Sequence, residues 1–298
     1  MTDGHGMGWL PDHPDLRDYT IGTAEVREIF AGRKASPRVA PSRKPALAPP
    51  GAIDLREWCP PVEDQGRLGS CTANAGVGVI EYYERRAFGR HFEASRLFLY
   101  KVTRNLMKLK GDTGATLRST MGAMVLFGVP PEEHWPYSDA GEAFDREPPA
   151  FCYAFAQNCQ AVKYYRHDPP GSPAEEVVAR VKSGLVAGHP AMFGFTVYDS
   201  IAQADATGRI PFPGPRERIE GGHAVVAVGY DDRIRIENAR GGTKGLPAEG
   251  AFLIRNSWGA AWGERGYGWL PYAYVLRGLA EDFWSVLKKE WIDTGEFS

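Results

Sequence analysis

The repeat of apolar residues that follows Gly69-Ser70-Cys71 predicts a helix facing a core. Apolar side chains recur there at spacings of three and four, which is the pattern of one helix face: Ala73, Val77, Ile80, Tyr83 and Ala87. Ser70 is a suitable N-cap and Gly89 a suitable end of this helix. Gly76 and Gly78 lie inside it, and each costs about 1 kcal/mol relative to alanine. We therefore expect another element to pack very closely against these glycines.

The remaining pattern divides the chain into a helical first part and a strand-rich second part. Two further helices are predicted at 117–128 and 174–184, the second beginning at Ser172-Pro173 and ending at Gly184. Strands are predicted where β-branched and aromatic residues lie between Gly, Pro and Asp turns: 191–197, 223–230, 234–237 and 251–256. Helices followed by largely antiparallel strands predict an α+β protein with two lobes.

Composition and charge exclude several classes of partner. The chain has 298 residues, 43% of them apolar, so it can fill a sizeable core. Its 35 basic and 37 acidic residues leave a net charge of −2, which gives no reason to expect nucleic acid or a membrane surface as a partner. The N-terminus lacks the pattern of a secretory signal, and the apolar runs are shorter than the roughly 18 residues of a membrane span. We therefore expect a cytoplasmic protein.

The four cysteines are too few and too scattered to form a disulfide framework. Cys152 and Cys159 could pair with each other or remain thiols, and the missing export signal favours thiols. There is no C-x-x-C and no His–Cys spacing that suits zinc, so neither a metal site nor a cofactor is expected. The glycine-rich segments 4–8 and 241–245 lack the context of a nucleotide-binding loop.

Residues 1–50 differ in composition from residues 51–298. Prolines alternate with basic residues between 33 and 50, a pattern typical of a tether that forms neither a helix nor a central strand. Apolar residues precede this tether: Trp9, Leu10, Tyr19, Ile21, Ile29 and Phe30. They are sufficient for the segment to dock on the rest of the protein, although a disordered tail without a function is the alternative.

Cys71 and His223 are candidates for a nucleophile and its base. Cys71 lies in the first turn of the predicted helix, where positive potential lowers the pKa of a thiol. Taken alone, Cys71 is better explained as a buried structural thiol, because free cysteine is among the most buried residue types. His223 follows Gly221-Gly222 and begins an apolar strand, so its backbone is fixed. A thiolate nucleophile needs an imidazole that later protonates the leaving amine, and the preceding glycines would let a substrate chain approach.

Asn256 is the candidate for a residue that orients this base. It ends an apolar strand directly before Ser257-Trp258-Gly259. Its side-chain carbonyl oxygen can accept a hydrogen bond from an imidazole. Trp258 is well placed to cover that hydrogen bond and exclude water from it.

Together with their neighbours, these residues resemble the papain family of cysteine peptidases in order and spacing. The similarity covers about 53–272, and its blocks are 61–66, 69–71, 222–225, 255–259 and 262–268, with Trp135-Pro136-Tyr137 as a further landmark. The resemblance implies a two-lobed papain-like fold, with a helical left lobe, an antiparallel β-barrel-like right lobe and the active-site cleft between them.

The resemblance also implies a reaction and the residues that perform it. Peptide bonds of a peptide or protein substrate would be cleaved through a thioester on Cys71, with His223 as acid and base and Asn256 orienting it. Gln65, six residues before Cys71, would donate to the oxyanion together with the backbone N–H of Cys71.

The family's substrate-binding glycine segment aligns at Thr113-Gly114-Ala115. Gly222 and Trp258 would also line the cleft. The alternatives are a catalytically silent papain-fold binding module and a thioester-based acyl transferase.

The chain departs from the family pattern at several positions. Leu68 replaces a cysteine that normally pairs with one aligning near Asp112, so both halves of that disulfide are missing. Thr72 replaces a tryptophan beside the nucleophile, which opens the wall of the cleft. A loop predicted at 238–250 lies between His223 and Asn256 and could form a rim of the cleft.

Residues 1–50 stand where the family places its propeptide. Trp9-Leu10-Pro11-Asp12 and Arg17-Asp18-Tyr19 resemble the shorter leader of bacterial members such as xylellain. We therefore expect a propeptide-like, inhibitory N-terminal segment before a peptidase domain at 51–298, so that the protein's own segment is one of its partners.

Overall fold

The structure is a computed structural model that describes residues 4–24, 26–27, 49–159, 163–239 and 248–287. The helices within these ranges are α1 (Cys71–Phe88), α2 (Arg96–Leu106), α3 (Leu117–Leu126), α4 (Ala150–Ala156), α5 (Ala174–Val186) and α6 (Tyr272–Leu276). The strands are β1 (Trp9–Leu10), β2 (Ala52–Asp54), β3 (Ala115–Thr116), β4 (Lys163–Arg166), β5 (Ala191–Tyr198), β6 (Ile219–Ile236), β7 (Ala248–Arg255), β8 (Tyr267–Pro271) and β9 (Ala280–Leu287). Ile29, Phe30, the tether at 31–48 and most of the predicted loop at 238–250 lie outside the described residues.

Helix α1 is the centre of the helical lobe and has the predicted limits. Ser70 precedes it, and Gly89 ends it with a left-handed φ of 70°. The Ser70 hydroxyl does not cap the helix; it lies 2.7 Å from the hydroxyl of Tyr137. A Cβ added at Gly76 would lie 3.0 Å from Leu99, and one at Gly78 would lie 2.7 Å from Arg255. The predicted close packing against these glycines is confirmed.

The second lobe is built on a seven-stranded antiparallel sheet. Its order is β4-β9-β5-β6-β7-β8, and β2 pairs with β6 beside this path. Within the described residues the edge strands β4 and β8 do not pair, so the sheet is not a closed barrel. The strands predicted at 223–230 and 234–237 form one long strand, β6, because irregular register between Asp231 and Arg235 bends it without ending it.

The buried apolar residues of the described ranges form two hydrophobic clusters. The first surrounds α1, α2 and α3, with Val77, Phe98 and Met121 fully buried. The second lies between the sheet and α5, where Phe193 and Phe283 stack with ring centroids 4.5 Å apart. Helix α3 ends two residues before the predicted limit, whereas α5 continues two residues beyond Gly184. No helix in the described ranges has the length and apolar character needed to cross a bilayer.

The N-terminal segment lies over the boundary between the lobes. Strand β1 pairs in parallel with β3 of the helical lobe, with Trp9 opposite Ala115. The Trp9 side chain is buried and lies directly against Gly194 on β5 and Gly222 on β6. Both lobes therefore contact the same short strand, and the predicted docking of this segment is confirmed for residues 4–24.

Candidate active site

Cys71 begins helix α1 and has no exposed surface. Backbone N–H groups of Ala224 and Gly8 lie within hydrogen-bond reach of its thiol. Ala224 is the neighbour of His223 on β6, and Gly8 belongs to the N-terminal segment. The thiol is therefore enclosed between the sheet lobe and the chain's own N-terminal residues.

His223 is held by Asn256, as the sequence predicts. His223 Nε2 lies 2.7 Å from Asn256 Oδ1, and both residues are buried. The same Oδ1 accepts a hydrogen bond of 2.8 Å from the backbone N–H of Ser257, which identifies it as the oxygen of the amide. Nε2 therefore carries the proton, which leaves Nδ1 as the basic nitrogen. Nδ1 is buried and has no hydrogen-bond partner among the described residues.

Aromatic rings shield the His223–Asn256 hydrogen bond from water. Trp258 stacks on the imidazole with ring centroids 4.7 Å apart and an interplanar angle of 29°. Phe195 packs edge-on against the same imidazole at 5.9 Å. A buried hydrogen bond is stronger electrostatically than an exposed one, so this shielding fixes the tautomer of His223.

Gln65 is oriented by a neighbour that the sequence analysis missed. Its Oε1 accepts a hydrogen bond of 2.5 Å from the hydroxyl of Ser257. Its Nε2 donates to the carbonyl oxygens of Leu68, at 2.7 Å, and Gly6, at 2.9 Å. The amide N–H group that the resemblance assigns to an oxyanion is thus engaged by a carbonyl of the N-terminal segment.

The predicted substrate-binding backbone is also engaged by this segment. Ala115 N donates a hydrogen bond of 2.8 Å to the carbonyl oxygen of Gly8. The hydroxyl of Thr113 donates to the carbonyl oxygen of Gly114 instead of to the segment. A Cβ at Gly114 would lie 2.2 Å from the carbonyl oxygen of Gly8, and one at Gly222 would lie 2.5 Å from the carbonyl oxygen of Trp9. Only glycine permits this approach of two backbones at either position.

His5 extends the cover over the base. Its ring stacks on Trp258 with centroids 5.4 Å apart, on the tryptophan that also contacts His223. Its Nε2 lies 3.1 Å from Asp64 Oδ1. Residues 5–9 therefore lie along the cleft and pack beside Gln65, Cys71 and His223.

Burial determines the ionisation of the Cys71 and His223 side chains. It raises the pKa of the Cys71 thiol to about 11 and lowers the pKa of His223 to about 4. The helix start predicts a lowered pKa for the Cys71 thiol, and this prediction is wrong for the covered arrangement. Both groups are neutral near pH 7 while the cleft is covered.

Asp112 links the two loops that the family joins by a disulfide. Its carboxylate accepts hydrogen bonds from Gly69 N at 2.9 and 3.2 Å and from the hydroxyl of Tyr100 at 2.5 Å. The Tyr100 hydroxyl in turn accepts from Gly114 N at 3.1 Å. The sequence shows only that both cysteines of this pair are missing, one at Leu68 and one near Asp112, because a carboxylate in that position gives no local signal.

Comparison with known proteins identifies the family. The family described as "Papain family cysteine protease" matches residues 49–279, which is most of the chain. The chain belongs to the papain family of cysteine proteases. It is accordingly a hydrolase that cleaves peptide bonds of peptide or protein substrates.

Similar proteins cover both the peptidase region and the N-terminal segment. The crystal structure of xylellain, a cysteine protease from Xylella fastidiosa, has 35% identity and a TM-score of 0.73, and covers 95% of this chain and 96% of that one. The "Uncharacterized peptidase C1-like protein L477" of Acanthamoeba polyphaga mimivirus is 32% identical over 96% of this chain and 88% of the viral protein. Cathepsin K of Gallus gallus is 30% identical over 73% of this papain-family chain, which spans 58% of the cathepsin. The predicted resemblance to the papain family is confirmed.

Proposed function

We propose that this papain-family peptidase uses Cys71 as its nucleophile and His223 as its base, and that residues 4–24 keep it latent until they are displaced. The observation that carries the catalytic assignment is the buried Nδ1 of His223. It has no partner among the described residues, whereas Nε2 is bound by Asn256. The backbone N–H of Ala224, the next residue, lies within reach of the Cys71 thiol, so Nδ1 is the nitrogen available to it.

The proposed reaction follows from these positions. His223 Nδ1 takes the proton of the Cys71 thiol, and the resulting thiolate attacks the carbonyl carbon of the scissile bond. The oxyanion that forms accepts hydrogen bonds from Gln65 Nε2 and Cys71 N–H. His223 transfers its proton to the leaving amine, which breaks the C–N bond and leaves a thioester on Cys71. His223 then takes a proton from water as that water hydrolyses the thioester. Asn256 holds the ring through both steps.

The proposal of latency rests on which groups the segment occupies. The carbonyl oxygen of Gly6 takes the Gln65 Nε2 donor, and the carbonyl oxygen of Gly8 takes the Ala115 N donor. A substrate would need the same donors. This occupation of the cleft supports the proposed division of the chain into an inhibitory segment at 1–50 and a peptidase domain at 51–298.

Charged groups anchor the segment on the surface beyond the cleft. Asp18 forms ion pairs with Arg118 at 2.5 Å and with Arg166 at 3.8 Å. Asp12 accepts hydrogen bonds from Arg118 N at 3.0 Å and from Trp284 Nε1 at 3.2 Å. The segment is therefore held at its aspartates as well as in the cleft, which supports a bound rather than a mobile arrangement of residues 4–18.

Alkylation of the cysteines tests the nucleophile and separates it from a silent binding module. An iodoacetamide or epoxide reagent should modify Cys71 once the segment is displaced, and should leave the buried thiols of Cys59 and Cys152 unmodified. Equal labelling of all three would contradict an activated Cys71. Product analysis with an added amine distinguishes hydrolysis from the alternative of acyl transfer. The free thiols also support our proposal of a reducing, cytoplasmic location.

Gln65→Ala is expected to lower kcat by about 10²-fold to 10³-fold, because the amide donates to the oxyanion rather than to the ground-state carbonyl. Steady-state kinetics on a small peptide substrate, with the segment displaced, would measure this. Gln157→Ala is the matched control, because Gln157 lies exposed on the surface, where its amide donates to the carbonyl oxygen of Phe127 at 3.4 Å. The control should leave kcat unchanged. If Gln65→Ala changes only KM, then Gln65 stabilises the bound substrate and the transition state equally, which would contradict its role as an oxyanion donor.

Asn256→Ala is expected to retain more activity than His223→Ala, because it removes the orientation of the base but not the base itself. The two variants should be compared by kcat/KM after circular dichroism has established that both are folded. Equal and complete inactivity of the two folded proteins would contradict an orienting role for Asn256.

A further inference from the structure

Three side chains with metal-ligating atoms meet near the end of helix α1, away from the catalytic cleft. Glu81 lies on α1, and His91 and Glu93 lie on the loop between α1 and α2. One ligand atom from each lies within 4.8 Å of the other two. Glu81 is ten residues along the helix from Cys71, which corresponds to about 15 Å. The cluster is thus separate from the groups proposed for catalysis.

Glu81 is a buried carboxylate with one oxygen that lacks a partner. The side chain has no exposed surface, and one oxygen, Oε1, accepts a hydrogen bond of 2.9 Å from Ala94 N. The other, Oε2, has no hydrogen-bond partner in the part of the chain that the structure describes. A carboxylate in this position is costly unless a proton or a cation accompanies it.

The charges around Glu81 leave an excess of negative groups. The carboxylates of the neighbourhood are those of Glu63, Glu81, Glu93 and Glu132, and its guanidinium groups are those of Arg96 and Arg255. Arg96 is occupied by ion pairs to Glu63, at 3.0 Å, and to Glu132, at 3.2 Å. Arg255 affects Glu81 through its field, but no ion pair within 4.0 Å joins them among the described residues. The carboxylates named here outnumber the guanidinium groups, so the surroundings of Glu81 favour a bound cation.

We propose that Glu81, His91 and Glu93 bind one divalent transition-metal ion, for which zinc is the best match. Imidazole nitrogen and carboxylate oxygen are both ligands that zinc accepts, and water can take the fourth position of a tetrahedral site. Ligand atoms about 2.0–2.1 Å from a tetrahedral zinc lie about 3.3 Å from one another. His91 Nε2 and Glu93 Oε1 are already 3.1 Å apart.

Burial and exposure of the three ligands suit such a site. Glu81 is buried and would supply a metal ligand in a fixed position. The Glu93 side chain is 59% exposed and can move to complete the coordination. The cation would take the place of a proton on the buried Glu81 carboxylate and would connect the end of α1 to the loop that enters α2. The expectation of no metal site rested on Cys–His spacings, and this cluster contains no cysteine.

Zinc titration of the whole chain tests the proposal. The protein carries Cys71→Ala, because the catalytic thiol and imidazole could themselves bind zinc, and is first freed of metal with EDTA. Isothermal titration calorimetry should then give one equivalent of zinc, and cobalt should produce the visible absorption of a tetrahedral site. His91→Ala and Glu81→Gln, each added to Cys71→Ala, should weaken zinc binding at least about 10-fold, since even outer-shell changes weaken metal sites by 10-fold or more.

The control is His134→Ala. His134 is a partly exposed histidine whose Nε2 lies 3.9 Å from the carboxylate of Glu133, and that carboxylate is exposed, unlike that of Glu81. It should bind zinc as tightly as the parent. If Glu81→Gln fails to fold, as judged by circular dichroism without metal, then His91→Ala and Glu93→Gln decide the question. Absence of zinc binding tighter than about 100 μM, or equal affinity of His91→Ala and His134→Ala, would overturn the proposal.

Discussion

Cys71→Ala is expected to lower kcat/KM by at least about 1,000-fold while leaving the fold intact. The substitution removes the sulfur that forms the thioester, and what remains is the catalysis supplied by binding and by the oxyanion donors. The fold should survive because Cys71 stands at the start of a helix, where alanine is the most favourable residue.

The assay must be made on protein whose N-terminal segment has been displaced, so that access to the cleft does not limit the rate. Cys152→Ala is the matched control, since Cys152 is a free and fully buried thiol on α4 outside the cleft. It should keep its activity if it folds. Activity of Cys71→Ala above about a thousandth of the parent value would exclude Cys71 as the nucleophile.

Local sequence pattern predicted those elements that carry their own signals. Helix α1 has an apolar face of regular period and a terminal glycine, and both of its limits were predicted. Helix α2 was missed although Ser95 caps it by accepting from Phe98 N. Its apolar residues are mixed with aromatic and β-branched ones, and packing against α1 and α3 stabilises it. Strands β4 and β9 pair with each other across more than a hundred residues, which no local pattern reveals.

The residues of the candidate site also fall into those that local sequence predicts and those that it does not. Cys71, His223 and Asn256 stand at the start or end of predicted elements, so sequence context and resemblance were enough to select them. Ser257 and Asp112 were not selected, because their roles depend on contacts with residues 192 and 43 positions away in the chain. Such contacts exist only after folding.

Magnitudes explain why the predicted thiol pKa was wrong for the covered cleft. A helix start stabilises a nearby anion by about 0.3–1 kcal/mol, which is less than one pKa unit. Complete burial can shift a pKa by several units in the opposite direction. The sequence revealed the helix start but not the cover formed by Gly6, Gly8 and Trp9, and the cover has the larger effect.

Release of the N-terminal segment is expected to raise both kcat/KM and the rate of Cys71 alkylation, by up to about 100-fold. A tethered segment has an effective concentration of order 1 mM, so an intrinsic Kd of about 10 μM would leave the cleft about 1% open. In the covered state the thiol pKa of about 11 leaves about one thiol in ten thousand ionised at pH 7, which slows alkylation further.

Removing the segment from the gene would delete Trp9 from the core and could impair folding. A recognition site for a specific protease, inserted between residues 40 and 48, lets the intact chain fold before it is cut. After cutting and dilution to about 0.1 μM, a segment with a Kd of about 10 μM dissociates almost completely.

Trp9→Ala in the uncut chain should raise the same two rates, because the buried indole holds the segment against Gly194 and Gly222. Leu16→Ala is its control, since Leu16 belongs to the same segment but is 95% exposed, and it should leave both rates unchanged. Equal kcat/KM and equal alkylation rates before and after cutting, with the cut segment shown to have dissociated, would rule out an inhibitory role.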